Sequence, residues 1–202
     1  MTPIQIHFHG PARLCSTTTD VLGECPHRDA PGIYLHAVQQ LTGDYLVTYV
    51  GETTASFYRR TKEHVIQTLG GNYRVIDMDL ARQGVERFLW DGLWRRGTRD
   101  RMPQFITRYE ELAPVIKAHL QGHDVFVAPL DGEARLLRRI KGALAQQLRA
   151  FPAASNLLPE GIRYVVRRRE EAAINIVISA NDRVEGLPLE LTIYRTWRPA
   201  QQ

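Results

Sequence analysis

Along residues 4–10, IQIHFHG, apolar and polar side chains alternate, the pattern of a half-buried strand. Residues 11–30 lose that order and are rich in Cys, Thr, Asp, Gly and Pro, which reads as irregular chain. The apolar runs GIYLHAVQQ (32–40) and YLVTYVG (45–51) flank LTGD, whose Gly-Asp step is a turn signal, so a hairpin is expected. SFYRRTKEHVIQTLGG (56–71) has helical periodicity, starting near Thr53 to Ser56 and stopping at Gly70-Gly71. Residues 72–122 read as helical or mixed, with Phe88, Trp90 and Trp94 at helical spacing and a helix over ITRYEELAPVIKAHLQG (106–122). DVFVAPL (124–130) is a compact buried strand. The clearest helix is DGEARLLRRIKGALAQQLRAF (131–151), where Leu136, Leu137, Ile140, Leu144 and Leu148 recur at helical spacing and Pro152 ends the run. IRYVVRRR, AAINIVIS and LPLELTIY read as three further strands.

With 202 residues, 44% hydrophobic and 24% charged, the chain is long enough to bury a core and falls in the globular range. No run of about 18 apolar residues exists, so no membrane span is expected. The first residues, MTPIQIHFHG, lack a basic segment followed by an apolar one, so they do not read as a secretion signal. Cys15 and Cys25 are too few for a disulfide framework, and a reducing cytoplasm is the expected setting. The formal charge is +4, with arginine concentrated at Arg59-Arg60, Arg95-Arg96, Arg99 and Arg101, Arg135 to Lys141, and Arg167 to Arg169. Such clusters suit phosphate and permit nucleic acid, although solvated helix and strand faces would explain charge alone equally well.

Gly32-Ile33-Tyr34 ends the lead-in to the first hairpin strand, and Tyr49-Val50-Gly51 closes the second. Phe57, Arg60 and His64 follow in the pattern Phe-x-x-Arg-x-x-x-His. Taken singly, a tyrosine pair on a hairpin is packing, and an Arg-Arg with a His four later is a solvated helix face. In this order the residues resemble the GIY-YIG endonuclease superfamily, strongly over 31–66 and moderately over 124–158, and the layout is closest to its restriction-enzyme-like members. Counting from Gly51 selects Arg59, but i,i+4 spacing puts Arg60 and His64 on one helix face, so Arg60 is preferred.

The resemblance implies an α+β fold: a small antiparallel sheet flanked by helices, with additional N- and C-terminal strands. It divides a single domain (1–202) into an extension (1–30), a nuclease core (31–158) with an insertion at about 72–122, and a strand appendage (159–202). It also implies hydrolysis of phosphodiester bonds in DNA, most simply double-stranded, with one Mg²⁺ or Mn²⁺ per site, and it fits a restriction or defence context. Tyr34 and Tyr49 would line the site, Arg60 would clamp phosphate, and His64 would relay a proton or touch phosphate. Arg59, Lys62, Arg138 and Arg139 would add DNA contacts, and a homodimer is compatible.

The family's metal-binding Glu lies on a later helix, some residues before an Asn. Asn156 is the candidate Asn, and the matching helix position is Lys141, an ammonium where a carboxylate is expected. Three accounts fit: an introduced charge reversal, a lineage that kept binding and lost cleavage, or replacement by Glu133. Glu133 lies eight residues earlier, roughly 12 Å along a helix at about 1.5 Å per residue, so a disabled nuclease is preferred. His7, His9, Cys15, Cys25 and His27 include zinc-type ligands, but no Cys-x-x-Cys is present and packing explains them better.

Overall fold

A computed structural model describes residues 2–15, 21–23, 25–94, 100–158 and 171–193. In chain order the elements are β1 (Ile4–Arg13), β2 (Gly32–Gln39), β3 (Tyr45–Thr53), α1 (Phe57–Leu69), β4 (Val75–Ile76), α2 (Met78–Ala81) and β5 (Phe88–Trp90). They continue with α3 (Met102–Thr107), α4 (Tyr109–Gly122), β6 (Asp124–Pro129), α5 (Ala134–Arg149), α6 (Pro152–Leu157), β7 (Ile174–Ala180) and β8 (Glu190–Ile193).

The class is α+β, but the sheet is neither small nor wholly antiparallel. Six strands run in the order β3-β2-β6-β1-β7-β8. The expected hairpin, β2 with β3, is antiparallel, and β6 adds antiparallel on its other side. The N-terminal strand then joins β6 antiparallel and β7 joins β1 parallel, so the terminal strands extend the core sheet. The physical reason is that β1 and β7 each bury apolar residues, Ile6 and Phe8 on one and Ile176 and Ile178 on the other. Pairing them on the core sheet gives those side chains a shared interior and satisfies the β6 edge.

Helices cover both sheet faces. On one, Ile33, Leu35, Val50, Phe126 and Ala128 pack with Leu137, Ile140, Leu144 and Leu148 of α5. On the other, Tyr34, Val125 and Val127 meet Phe57 and Val65 of α1 and Leu112, Ile116 and Leu120 of α4. Covering on both faces explains why β2 and β6 read as continuous apolar runs, not as alternations. Among the described residues, no helix is long and apolar enough to cross a membrane.

The Trp-bearing stretch departs from its helical spacing. Phe88–Trp90 forms a strand paired with β4, and Gly92 turns the chain at φ 86°. A Cβ there would meet the Asn72 carbonyl oxygen at 2.7 Å, so the turn depends on glycine. Trp90 is buried and its Nε1–H donates to the Gly71 carbonyl at 2.7 Å, whereas Trp94 is exposed. The expected strand at 162–169, with Arg167 to Arg169, and the cluster Arg95-Arg96 and Arg99 lie outside the described residues.

Candidate functional site

The hairpin register sets the site. Tyr34 stands opposite Gly51 and His36 opposite Tyr49, so Tyr34, His36 and Tyr49 share the sheet face that α1 covers. The Tyr34 and Tyr49 ring centroids are 6.0 Å apart. A side chain on Gly51 would collide with the Tyr34 ring, and one on Gly32, at φ 145°, would meet the Ala128 carbonyl and the Phe57 ring. The glycines of both tripeptides therefore answer to close packing around Tyr34 and β6.

Helix α1 starts at Ser56, whose hydroxyl accepts from the Arg59 N–H at 3.1 Å. That start places Arg60 and His64 one turn apart against the hairpin. Arg60 Nε donates to the Tyr34 hydroxyl at 3.3 Å, and that hydroxyl lies 2.9 Å from His64 Nε2. Arg60 Nη1 also donates to Glu63 Oε2 at 3.0 Å. Arg59 points outward, with its side chain 74% exposed and Glu63 at 3.6 Å. Arg60, not Arg59, therefore reaches the tyrosine. Lys62 is exposed over the Tyr58 ring.

Burial makes this cluster electrically quiet apart from its arginine. Tyr34 is 1% exposed, and burial pushes its phenol well above the usual value, with the Arg60 charge opposing. Burial, aided by Arg60, lowers His64 to about 3, so the imidazole is neutral at physiological pH. Burial also works against the Arg60 charge, but Tyr34 and Glu63 outweigh it and its pKa rises. The Tyr34 hydroxyl thus accepts from Arg60 and shares a hydrogen bond with His64 Nε2. The result is one fixed cation with an oriented phenol and a neutral imidazole behind it.

The other expected residues do not join that cluster. Successive β3 residues face opposite ways, so Glu52 lies on the α5 face. There Lys141 Nζ donates to Glu52 Oε1 at 3.2 Å, and Arg138 approaches the same oxygen at 3.8 Å. Arg139 is buried, donating to the Ala172 carbonyl at 3.2 Å and pairing with Glu171 at 3.8 Å, while Arg135 also bonds Glu171. A guanidinium so enclosed is a structural anchor and is poorly placed to meet DNA. Glu133 stands exposed at the N-cap position of α5 without a side-chain capping bond, and Asn156 is exposed on α6.

These residues do not fit a divalent ion. The expected ligand position holds an ammonium already paired with the nearest carboxylate, and Glu63 on the tyrosine side is paired with both Arg59 and Arg60. Among the described residues no group of three or more His, Cys, Asp or Glu side chains is arranged to hold a metal. His7, His9 and His27 do meet, edge-on and tilted at 4.5 and 4.2 Å between successive centroids, but both ring nitrogens of His7 are engaged by Ser179 and Asn181.

Behind Tyr34 lies a feature the motif did not announce. A cavity of about 310 Å³ is lined by His36, Tyr49, His64, Tyr73, His119 and His123 together with smaller apolar and hydroxyl side chains. Of its described lining residues, Arg74 and the exposed Glu86 carry charge, and Arg74 lies over the Phe88 ring. Two signals in the sequence pointed here: His36 two residues after Tyr34 on a strand, and His119 four before His123 at helical spacing. Their convergence depends on α4 crossing the sheet. Compared with protein-family models, curated proteins and solved structures, the chain matches none.

Proposed function

We propose that the chain is a GIY-YIG-type DNA-binding nuclease domain whose phosphate-binding cluster is assembled and whose hydrolytic step lacks a metal ligand, the expected position being Lys141, an ammonium on the other sheet face. The observation that carries this reading is the convergence of Arg60 and His64 on the Tyr34 hydroxyl, beside Tyr49. Packing alone does not require a part-buried guanidinium directed at a buried phenol. A phosphate-binding site gives that guanidinium a use, because desolvation strengthens the charge-assisted hydrogen bonds that arginine forms with phosphate oxygens. The Arg60 side chain is 34% exposed, so further N–H groups of its fork can meet a phosphate. Glu63 holds the guanidinium in place when no anion is bound, and an incoming phosphate competes with that carboxylate. Lys141 is held by Glu52 and is 21% exposed, which disfavours it as a phosphate contact.

Duplex binding, followed by fluorescence anisotropy in the presence of EDTA, tests the binding half. Affinity should fall linearly with salt on logarithmic axes. Arg60→Ala should weaken binding about tenfold and flatten the salt slope by about one. Glu63→Gln should strengthen binding, because it removes the competing carboxylate. Absence of salt-dependent DNA binding would end the proposal. For the hydrolytic half, plasmid nicking with Mg²⁺ or Mn²⁺ should be absent in the chain as it stands. It should stay absent in Lys141→Glu, because position 141 lies on the α5 face and not beside Tyr34 and Arg60; nicking gained by Lys141→Glu and lost again with Tyr34→Phe would overturn that separation. Cleavage by the unaltered chain that is lost on Glu133→Ala would overturn the role given to position 141.

A further inference from the structure

Of the tryptophans at 90 and 94, the core uses one. Trp90 is 3% exposed, whereas Trp94 is 59% exposed. That exposure does not come from a loose chain. The Leu93 N–H donates to the Gly71 carbonyl at 2.9 Å and the Trp94 N–H to the Asn72 carbonyl at 3.3 Å. Asn72 is itself tied to α1, its Nδ2–H donating to Gln67 Oε1 at 2.6 Å. Gly92 and Gly71, at φ 86° and 72°, shape the two facing turns, where a Cβ would meet the Asn72 carbonyl and the Phe105 ring. A single exposed apolar side chain is ordinary; this one is held in place and ends a row of rings. Trp94 and Tyr73 meet edge to face, 5.6 Å apart at 82°, and Tyr73 and His64 are 5.3 Å apart. A perpendicular contact covers at most one face of the indole, so Tyr73 leaves the other open. His64 in turn bonds the Tyr34 hydroxyl that Arg60 holds. The row therefore runs outward from the phosphate cluster, with His64 buried, Tyr73 half-buried and Trp94 exposed. Burial raises the Tyr73 phenol and the Arg60 charge opposes it, so the guanidinium lies within electrostatic reach of the row.

We propose that Trp94 is a stacking platform for an unpaired base of a DNA strand whose phosphate meets Arg60, so that the preferred ligand is DNA carrying a single-stranded segment. This rests on the DNA reading above and names the class of DNA. Three observations select the occupant. The indole has an open face, the backbone fixes it before anything binds, and ring contacts connect it to a part-exposed guanidinium suited to phosphate. Stacking on an aromatic side chain is tolerant of sequence, because every base has a π-face. In a closed duplex those faces lie against one another, and an unpaired base offers one to the indole. A second copy of this chain is the competing occupant, and it would cover Trp94 with no need of Arg60.

Anisotropy in EDTA compares a closed duplex with two that carry single-stranded overhangs of equal length, one of thymidines and one of abasic sites. The abasic overhang keeps every phosphate, so a difference between the two overhangs reads the bases alone. The thymidine overhang should bind about tenfold tighter than the abasic one. Trp94→Ala should remove that advantage and leave the salt slope unchanged, Trp94→Phe should keep most of it, and Arg60→Ala should flatten the slope for both. The unaltered chain supplies a second readout. In protein labelled with 5-fluorotryptophan, the Trp94 ¹⁹F signal, assigned with Trp94→Phe, should shift on adding the thymidine overhang, while the signal of buried Trp90 stays. Equal affinity for the two overhangs, or a stationary Trp94 signal, overturns the platform and leaves the DNA reading standing. Sedimentation that shows a dimer split by Trp94→Ala gives the indole to a second copy and overturns the platform as well. Absence of salt-dependent binding to all three duplexes overturns the DNA reading and the platform with it.

Discussion

Gly51 and Tyr34 show how much the candidate site depends on single atoms. The Tyr34 ring crosses the face of β3 where Gly51 has no side chain, and Phe57 at 6.3 Å and His64 at 6.0 Å hold it edge-on. Gly51→Ala places a methyl group inside that ring, and neither the ring nor the strand has room to yield. Overpacking of this kind costs about 1–3 kcal/mol, and here it also displaces the hydroxyl that Arg60 and His64 share. Thermal unfolding should show the loss, and duplex binding should weaken with it. Tyr34→Phe separates the two effects: the ring stays, the hydroxyl goes, and DNA affinity falls with a smaller stability change. A Gly51→Ala protein as stable as the parent would mean that the tripeptide glycine has no steric role. At this scale much was legible. The 3.6-residue period favoured Arg60 over Arg59, whereas His36, on the same strand face as Tyr34, was passed over. The His36 Nε2, without a hydrogen-bond partner among the described residues, was not legible, because partners for a buried atom come from α4 and the 72–90 segment, far along the chain.

Helix α5 was the most legible element, since Leu137, Ile140, Leu144 and Leu148 mark one apolar face and all four are buried. What that face meets was not. Lys141 pairs with Glu52, 89 residues earlier, because strand alternation turns Glu52 toward α5 and away from the tyrosines. The same limit explains the strand at Phe88–Trp90. Three aromatic positions fit a helix by spacing, but Gly92 and the partner strand β4 decide the outcome. The Lys141–Glu52 pair supports a test at the scale of the element. Both side chains are mostly buried, 21% and 18% exposed, so Lys141→Glu exchanges a shielded ion pair for two carboxylates beside one Arg138. Loss of about 1–3 kcal/mol is expected in EDTA. Two adjacent carboxylates are also the start of a cation site, so Mn²⁺ should raise the melting temperature of Lys141→Glu and leave Lys141→Met unchanged. Adding Glu52→Gln should abolish that rise. A melting temperature of Lys141→Glu indifferent to Mn²⁺ would show that charge reversal at this position does not restore metal binding.

Across the whole molecule, the sheet brings together histidines from β2, α1 and the end of α4, and the core keeps them neutral. Burial, with Arg60 contributing, lowers His64 to about 3; burial lowers His123 to about 4; His36 and His119 are also lowered, first by burial and then by neighbouring histidines. In the unfolded chain each titrates near about 6.5. Above that value neither state binds the proton, and these groups leave stability unchanged. Below it the unfolded chain takes up protons that the native state refuses, so stability falls as the pH drops from about 6.5 toward the folded values, by up to about 1.4 kcal/mol per pH unit for each histidine. Asp124 also has its pKa raised by burial, with the opposite sign, so Asp124→Asn is used as the background. In urea unfolding between pH 7 and pH 5 the free energy should be level near pH 7 and decline steadily below about 6.5. His36→Phe should reduce the decline by one proton's share while raising stability at pH 5. A profile flat to pH 5 would mean that these imidazoles protonate in place, with water reaching them freely.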